Sequence, residues 1–357
     1  MKTTVSLTAV ACAVFLTACG AGGGSGTIVG LPGQPTTPTT PTNPTPPADP
    51  NALQPAGTFS YAAGSTELSA ITALNNARVA YGVGGLAQNS KLDVAATNHA
   101  KYVSTRWGAG DFANVGHVED GSKPGYTGVN PADRILYAGY AASTSGENLT
   151  TFISVDGVTS TPGAVAVNIL LSGPYHRFGL FDGSRDAGVY DASARFTGEG
   201  GINHSIVIDM AVAQGVSPQL PANTWVGMWP VNNATDVMYA FAGESPNPIP
   251  VNNGACAGYP VSIQGPRSFD LTTTAFTLAE AVSGTAVNTQ LSTYTTDVNP
   301  AYARPNVAYI IPFKPLKLAT KYTAHFVGTI GGQAVDKSWS FTTTASNTKQ
   351  LYGCDPS

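Results

Sequence analysis

Histidine and carboxylate side chains are the groups best suited to base catalysis or metal ligation near neutral pH, and this 357-residue chain has only five histidines. His117 lies in a Gly/Asn-rich run, Asn114-Val115-Gly116-His117-Val118-Glu119. His176 lies in a second polar, punctuated stretch, Ser172-Gly173-Pro174-Tyr175-His176-Arg177, and Gly146-Glu147-Asn148-Leu149 falls between the two. Loop positions of this kind carry function more often than core positions do. The other three histidines read differently. His99 sits in the inner stripe of a helix, where a packed core residue is expected. His204 begins a strand and His325 lies mid-strand; neither has acidic company in the sequence, so both read as structural or surface positions. Ser145 and Ser172 stand near the same runs, but no Gly-x-Ser-x-Gly elbow supports a serine nucleophile there.

The elements that must position these runs can be read from periodicity and caps. Ser65 or Thr66 caps a helix running to about Tyr81, with Leu68, Ile71, Leu74 and Ala77 at helical spacing. A second helix starts near Ser90, its inner stripe formed by Leu92, Ala95, Ala96, His99, Tyr102 and Val103. Asn130-Pro131 opens a short third helix and Thr161-Pro162 a fourth, each with proline at its first position. Strands are expected over 187–194 and 204–213, around a Gly198–Gly201 turn. Helices first and a hairpin later argue for α+β. Beyond a Pro-rich connector the pattern is all-β. Short strands are expected near Val261–Gln264, Phe269–Leu278 and Val307–Ile311. A hairpin then turns at Gly331-Gly332 between Tyr322, Ala324, Phe326 and Val335, Trp339, Phe341.

An ordered set of motifs from about Glu67 to Ala213 resembles the CAP superfamily (cysteine-rich secretory, antigen 5 and pathogenesis-related proteins) in its bacterial form. The set comprises Asn75-Asn76-Ala77-Arg78 with Gly85-Leu86, then Leu92 with Ala95-Ala96, then Asp133-Arg134-Ile135 and Ala138-Gly139-Tyr140. Gly146-Glu147-Asn148-Leu149 and Tyr175-His176-Arg177 complete it. The resemblance implies an α-β-α sandwich with a central cleft, and it implies His117 and His176 as metal ligands with Glu147 as the acid. Two neutral imidazoles and a carboxylate suit Zn²⁺ and leave a fourth position for water. Unligated, Glu147 would serve as catalytic base, or would accept backbone hydrogen bonds that shape a turn over 146–149. Two departures weaken the implied site: residues 162–173 contain no Asp or Glu where the family carries a second acid, and the usual tryptophan before the last motif is absent. Arg78 and Arg134 read as structural, pairing with carboxylates or helix ends. The second region resembles a bacterial immunoglobulin-like module through Lys321-Tyr322-Thr323, Gly331-Gly332 and Trp339-Ser340-Phe341-Thr342.

The N-terminus sets the expected compartment. Lys2 precedes an apolar run from Val5 to Leu16, shorter than the roughly 20 residues a membrane span needs. The run ends in Leu16-Thr17-Ala18-Cys19, which resembles the bacterial lipobox, with Cys19 as the lipidated residue. The expected order is therefore a signal peptide over 1–18 and a lipidated cysteine with a Gly/Pro/Thr-rich linker over 19–60. A CAP-like domain over 61–216, a connector over 217–255 and an immunoglobulin-like β-sandwich over 256–345 follow. Gly20 after the cysteine points to the outer membrane of a bacterial envelope. Of four cysteines, only Cys256 and Cys354 remain to pair in an exported chain.

Charged residues make up only 11% of the chain and the net charge is −4, with no Lys/Arg cluster, which argues against a nucleic-acid partner. Three functions fit. The first is binding of an envelope or extracellular lipid, sterol, glycan or peptide in a His/Glu-lined cleft. The second is metal-dependent hydrolysis through His117, Glu147 and His176. The third is a structural or adhesive role for the immunoglobulin-like domain.

Overall fold

The computed structural model describes residues 49, 51–155, 161–195, 201–241, 243–249 and 256–345. The signal segment, Cys19, nearly all of the Gly/Pro/Thr-rich linker before 49, the tip of the expected Gly198–Gly201 turn and Cys354 lie outside the described residues. So does the expected Cys256–Cys354 pair.

The chain is α+β. Helix α1 (Thr66–Tyr81) starts where the Ser65 hydroxyl accepts from Leu68 N at 3.1 Å, and ends at Gly82, whose φ of 86° suits glycine. The two-residue strand β1 (Ala87–Gln88) leads into α2 (Ser90–Gly108), capped by Asn89. Helix α3 (Pro131–Tyr137) has proline at its first position, and Asp133 accepts from Asn130 N at 3.0 Å. Strand β2 (Ala142–Val155), helices α4 (Pro162–Ser172) and α5 (Pro174–Leu180), and strands β3 (Asp186–Asp191), β4 (Ala194–Arg195) and β5 (Gly201–Ala213) complete the first unit. Its sheet runs β1-β3-β5-β2, antiparallel except for the β1–β3 pair, with β4 beside β5.

Helices cover both faces of this sheet. Ile206, Ile208 and Met210 of β5 pack against Ile71 and Leu74 of α1 and Val167 and Leu170 of α4. The intervening Val207 packs with Leu149 of β2 against Ala96, Ala100 and Val103 of α2, and Ala211 packs against Ile135 of α3. A strand covered on both sides reads as a continuous apolar run, as Ile206-Val207-Ile208 does. An acid inside such a run is therefore conspicuous, and Asp209 is one.

Two segments differ from the local structure that the sequence predicts. Gly146–Leu149 is no turn: it lies inside the 14-residue strand β2, where Glu147 pairs with Asp209 across the ladder. Gly, Glu and Asn disfavour strands intrinsically, and the pairing with β5 overrides that preference. His176 lies on α5 rather than in a loop, because Pro174 starts a new helix directly after α4.

The second unit packs two four-stranded sheets face to face around Phe276, Phe326, Trp339 and Phe341 from one sheet and Val261, Ile263 and Ile310 from the other. Its strands are β6 (Gly227–Trp229), β7 (Ala234–Val237), β8 (Ala240–Phe241), β9 (Ala257–Gly258), β10 (Val261–Gln264), β11 (Leu271–Glu280), β12 (Thr289–Thr293), β13 (Val307–Pro312), β14 (Lys321–Ile330) and β15 (Gln333–Thr343). The sheets run β12-β13-β10-β6 and β11-β14-β15-β7, and β8 pairs with β9. Gly331 and Gly332, with φ of 57° and 76°, make the β14–β15 hairpin turn. Part of the expected connector thus belongs to this unit. β6 joins one sheet through β10 and β7 joins the other through β15, although strands of three and four residues are too short to show alternation.

Candidate functional site

Glu147 sits at the middle of a buried cluster of charge. Its Oε2 accepts from Arg134 Nη2 at 2.7 Å, its Oε1 accepts from His117 Nδ1 at 2.7 Å, and His99 Nε2 lies 3.4 Å from the same Oε1. His99 faces acceptors on both nitrogens: Glu119 Oε1 at 2.9 Å from Nδ1 and the Gly116 carbonyl at 2.9 Å from Nε2. Glu119 in turn accepts from Thr127 N at 2.7 Å, which ties the loop after α2 to the start of the 127–130 segment. Four elements supply this cluster: α2 gives His99, the following loop gives His117 and Glu119, α3 gives Arg134, and β2 gives Glu147. Every one of these side chains is at most 4% exposed.

Asp209 completes the cluster from β5, directly opposite Glu147. Burial pushes the Glu147 carboxyl up, but Arg134, His99 and His117 outweigh it and hold the group well below the usual carboxylate range. Asp209 goes the other way: burial, then the charge of Glu147, holds its carboxyl well above that range, against a smaller pull from Arg134. Both Asp209 carboxyl oxygens are buried without a hydrogen-bond partner, which disfavours a second negative charge beside Glu147.

The hydrogen bonds of His176 lie outside this cluster. Its Nδ1 is 2.7 Å from Glu244 Oε2, and Glu244 also accepts from the backbone N–H groups of Tyr175 and His176 at 3.1 and 3.2 Å. The neighbours on α5 face the second unit as well. The Tyr175 hydroxyl donates to Asp297 at 2.6 Å, and the Arg177 guanidinium donates to Leu171 O, Ser262 Oγ and Pro260 O while covering the Tyr259 ring. Tyr175-His176-Arg177 is therefore a clasp between the two units. The sequence contains no cue for this, because Glu244, Ser262 and Asp297 are distant along the chain.

Both oxygens of Glu147 receive hydrogen bonds, one of them from the Arg134 guanidinium, so Glu147 is not placed as a ligand. The Nδ1 atoms of His117 and His176 each face a carboxylate, the support a ligating imidazole commonly has, and the buried His176 Nε2 has no hydrogen-bond partner. Among the described residues, no group of three or more His, Cys, Asp or Glu side chains is arranged to hold a metal ion.

His99, Glu119, Arg134 and Asp209 are the cluster members that sequence reasoning did not assign to the site. Asp209, the one charged side chain in the apolar run 206–213 of β5, and Glu119, two positions after His117, were the available signals. Arg78 does act structurally: fully buried, it donates to the carbonyls of Gly84 and Asp182 at 3.0 Å and of Ser184 at 3.2 Å, and lies 3.9 Å from Asp182 Oδ1. His204 and His325 do have acidic company. His204 Nδ1 is 2.6 Å from Asp191 Oδ2 and His325 Nε2 is 2.9 Å from Asp336 Oδ1, both supplied by neighbouring strands.

An accessible recess lies elsewhere. A groove of about 280 Å³ runs between the units, with Val83, Phe181 and Trp225 as apolar wall and Gln219, Gln264, Asn306, Arg267 and Arg304 as polar lining. Asp182 also lines it, already close to Arg78. Arg304 donates to Phe178 O at 2.9 Å; burial, then repulsion from Arg267, lowers its pKa to about 10. No protein-family model matches the chain, and no curated protein matches it.

Proposed function

We propose that this chain is an exported, lipid-anchored CAP-type protein with an immunoglobulin-like second unit. In this reading it binds a carboxylate-bearing glycan or peptide of the bacterial envelope in the groove between the units. The observation that carries the binding reading is the groove itself, where Arg267 and Arg304 stand beside four side-chain amides, of which Asn223 is exposed, and an apolar wall. Guanidinium groups recognise carboxylates with paired N–H donors, amides add orientation, and an apolar wall supplies burial. Lipids and sterols suit such a lining less well. The CAP-type reading is supported by helices on both faces of one sheet and by His117 and Glu147 meeting across a loop and a strand.

Metal-dependent hydrolysis is not favoured, because Glu147 has its charge neutralised by Arg134 and the cluster around it is closed to solvent. The cluster instead ties α2, α3 and β2 together. Calorimetric titration of the mature chain with muropeptide-like glycan fragments and acidic peptides tests the binding reading. Saturable binding that weakens with salt is expected; absence of binding across both ligand classes would contradict it.

A further inference from the structure

We propose that Ser154, His204 and Asp191 form a second, separate site: a serine nucleophile with its base, acting on carboxylic esters. This goes beyond the binding reading and does not depend on it. Ser154 Oγ lies 3.0 Å from His204 Nε2, and His204 Nδ1 lies 2.6 Å from Asp191 Oδ2. A carboxylate only accepts, so Nδ1 carries the ring proton and Nε2 presents its lone pair to the Ser154 hydroxyl. The alternative acceptor for that hydroxyl, Ile202 O, is 3.5 Å away and correspondingly weaker. His99 also pairs with a carboxylate, but its other nitrogen faces a backbone carbonyl rather than a hydroxyl.

The supports are rigid where the chemistry needs them to be. His204 is on β5, Asp191 on β3 and Ser154 near the end of β2, three neighbouring strands of one sheet. The His204 ring stacks on Phe152, with centroids 5.1 Å apart and planes 24° apart, so the imidazole is held in plane. The side chains of His204 and Asp191 are only 5% and 4% exposed, whereas Ser154 is partly exposed. The base is therefore shielded while the nucleophile can be reached. Such sites are recognised by geometry and role rather than by a sequence signature, and no nucleophile-elbow motif surrounds Ser154.

The reaction follows from these positions. Ser154 Oγ adds to the ester carbonyl carbon as its proton passes to His204 Nε2. The bond from carbonyl carbon to alcohol oxygen breaks, and the alcohol leaves with that proton, so the acyl group remains on Ser154. Water then adds to the acyl carbon and gives a proton to Nε2. The Oγ–carbon bond breaks, Oγ regains the proton, and the carboxylic acid departs. Asp191 is a positioning residue that keeps the imidazole in the required tautomer.

The test uses the mature full-length chain, an alkyl fluorophosphonate and p-nitrophenyl acetate. Peptide mapping should place a single phosphonyl adduct on Ser154, absent from Ser154→Ala. Ester turnover should fall by roughly 10³-fold or more in Ser154→Ala and His204→Gln. Asp191→Asn should slow both adduct formation and turnover, and Asp191→Glu should restore part of each, which a purely structural role would not do. Ser154→Ala removes one oxygen at a partly exposed position and should leave the circular dichroism spectrum unchanged. A folded wild type that gives no adduct at Ser154, or a Ser154→Ala variant that hydrolyses the ester at the wild-type rate, would overturn the proposal.

Discussion

The opposed shifts of Glu147 and Asp209 make opposite demands on substitution and on pH. Glu147→Gln removes the charge that Arg134 and His117 share, leaving the buried guanidinium with only the Glu119 carboxylate, 3.8 Å away, and should cost about 3–5 kcal/mol in chemical unfolding. Asp209→Asn replaces a carboxyl that is already neutral and should cost far less. The folded value of Glu147 lies below its unfolded value of about 4.3, so its contribution is complete above that pH. It is lost as pH falls through the lower, folded value. Asp209 is the reverse: its contribution is complete below about pH 3.9 and shrinks as pH rises toward its raised folded value. Asp209→Asn should therefore gain on the wild type as pH rises above about 3.9, by up to about 1.4 kcal/mol per pH unit where only the unfolded carboxyl ionises. Melting temperatures of the two proteins that move in parallel over this range would contradict the assignment of the proton to Asp209. Of this cluster, His117 and Glu147 were legible in the sequence because they lie in polar runs. His99 was not, since a helical apolar stripe gives no hint that a carboxylate and a carbonyl will meet both ring nitrogens.

At the scale of elements, caps and periodicity located α1 to α4 within a few residues, because proline, asparagine and serine act through their own backbone neighbourhood. The short strands β6 to β9 and the helix α5 escaped for the opposite reason. Their partners are remote in sequence, and three or four residues cannot display a period. The consequence is largest at α5, where Tyr175 and Arg177, beside the His176 that the sequence places in a cleft, hold the second unit. Arg177 is fully buried and bridges Pro260, Ser262 and Leu171, so its planar fork is not replaceable by an ammonium. Arg177→Lys should cost roughly 3 kcal/mol, since hydrogen bonds to charged groups contribute about 1.5–3 kcal/mol each and neighbouring ones overlap. It should also split one calorimetric unfolding transition into two, one for each unit. A single transition at the wild-type temperature would show that the clasp is not what couples them.

Across the whole molecule, two α+β and all-β units share an interface that includes the groove, and the proposed attachment at Cys19 would hold both at a membrane surface. Among the described residues no helix is long and apolar enough to cross a membrane. Cys19→Ala should abolish incorporation of labelled palmitate and release the protein from the membrane fraction; unchanged labelling would remove the lipid anchor from the account. The central claim is that ligands meet the groove and not the buried His/Glu cluster. Calorimetric titration of one acidic glycan or peptide ligand against wild type, Arg267→Glu and His117→Ala tests it most directly. Arg267 is exposed on the groove wall, so reversing its charge should weaken binding at least about tenfold, equivalent to about 1.4 kcal/mol, while His117→Ala leaves affinity within about twofold. Binding that survives Arg267→Glu unchanged and disappears in a folded His117→Ala variant would contradict the account and return the site to the cluster around Glu147.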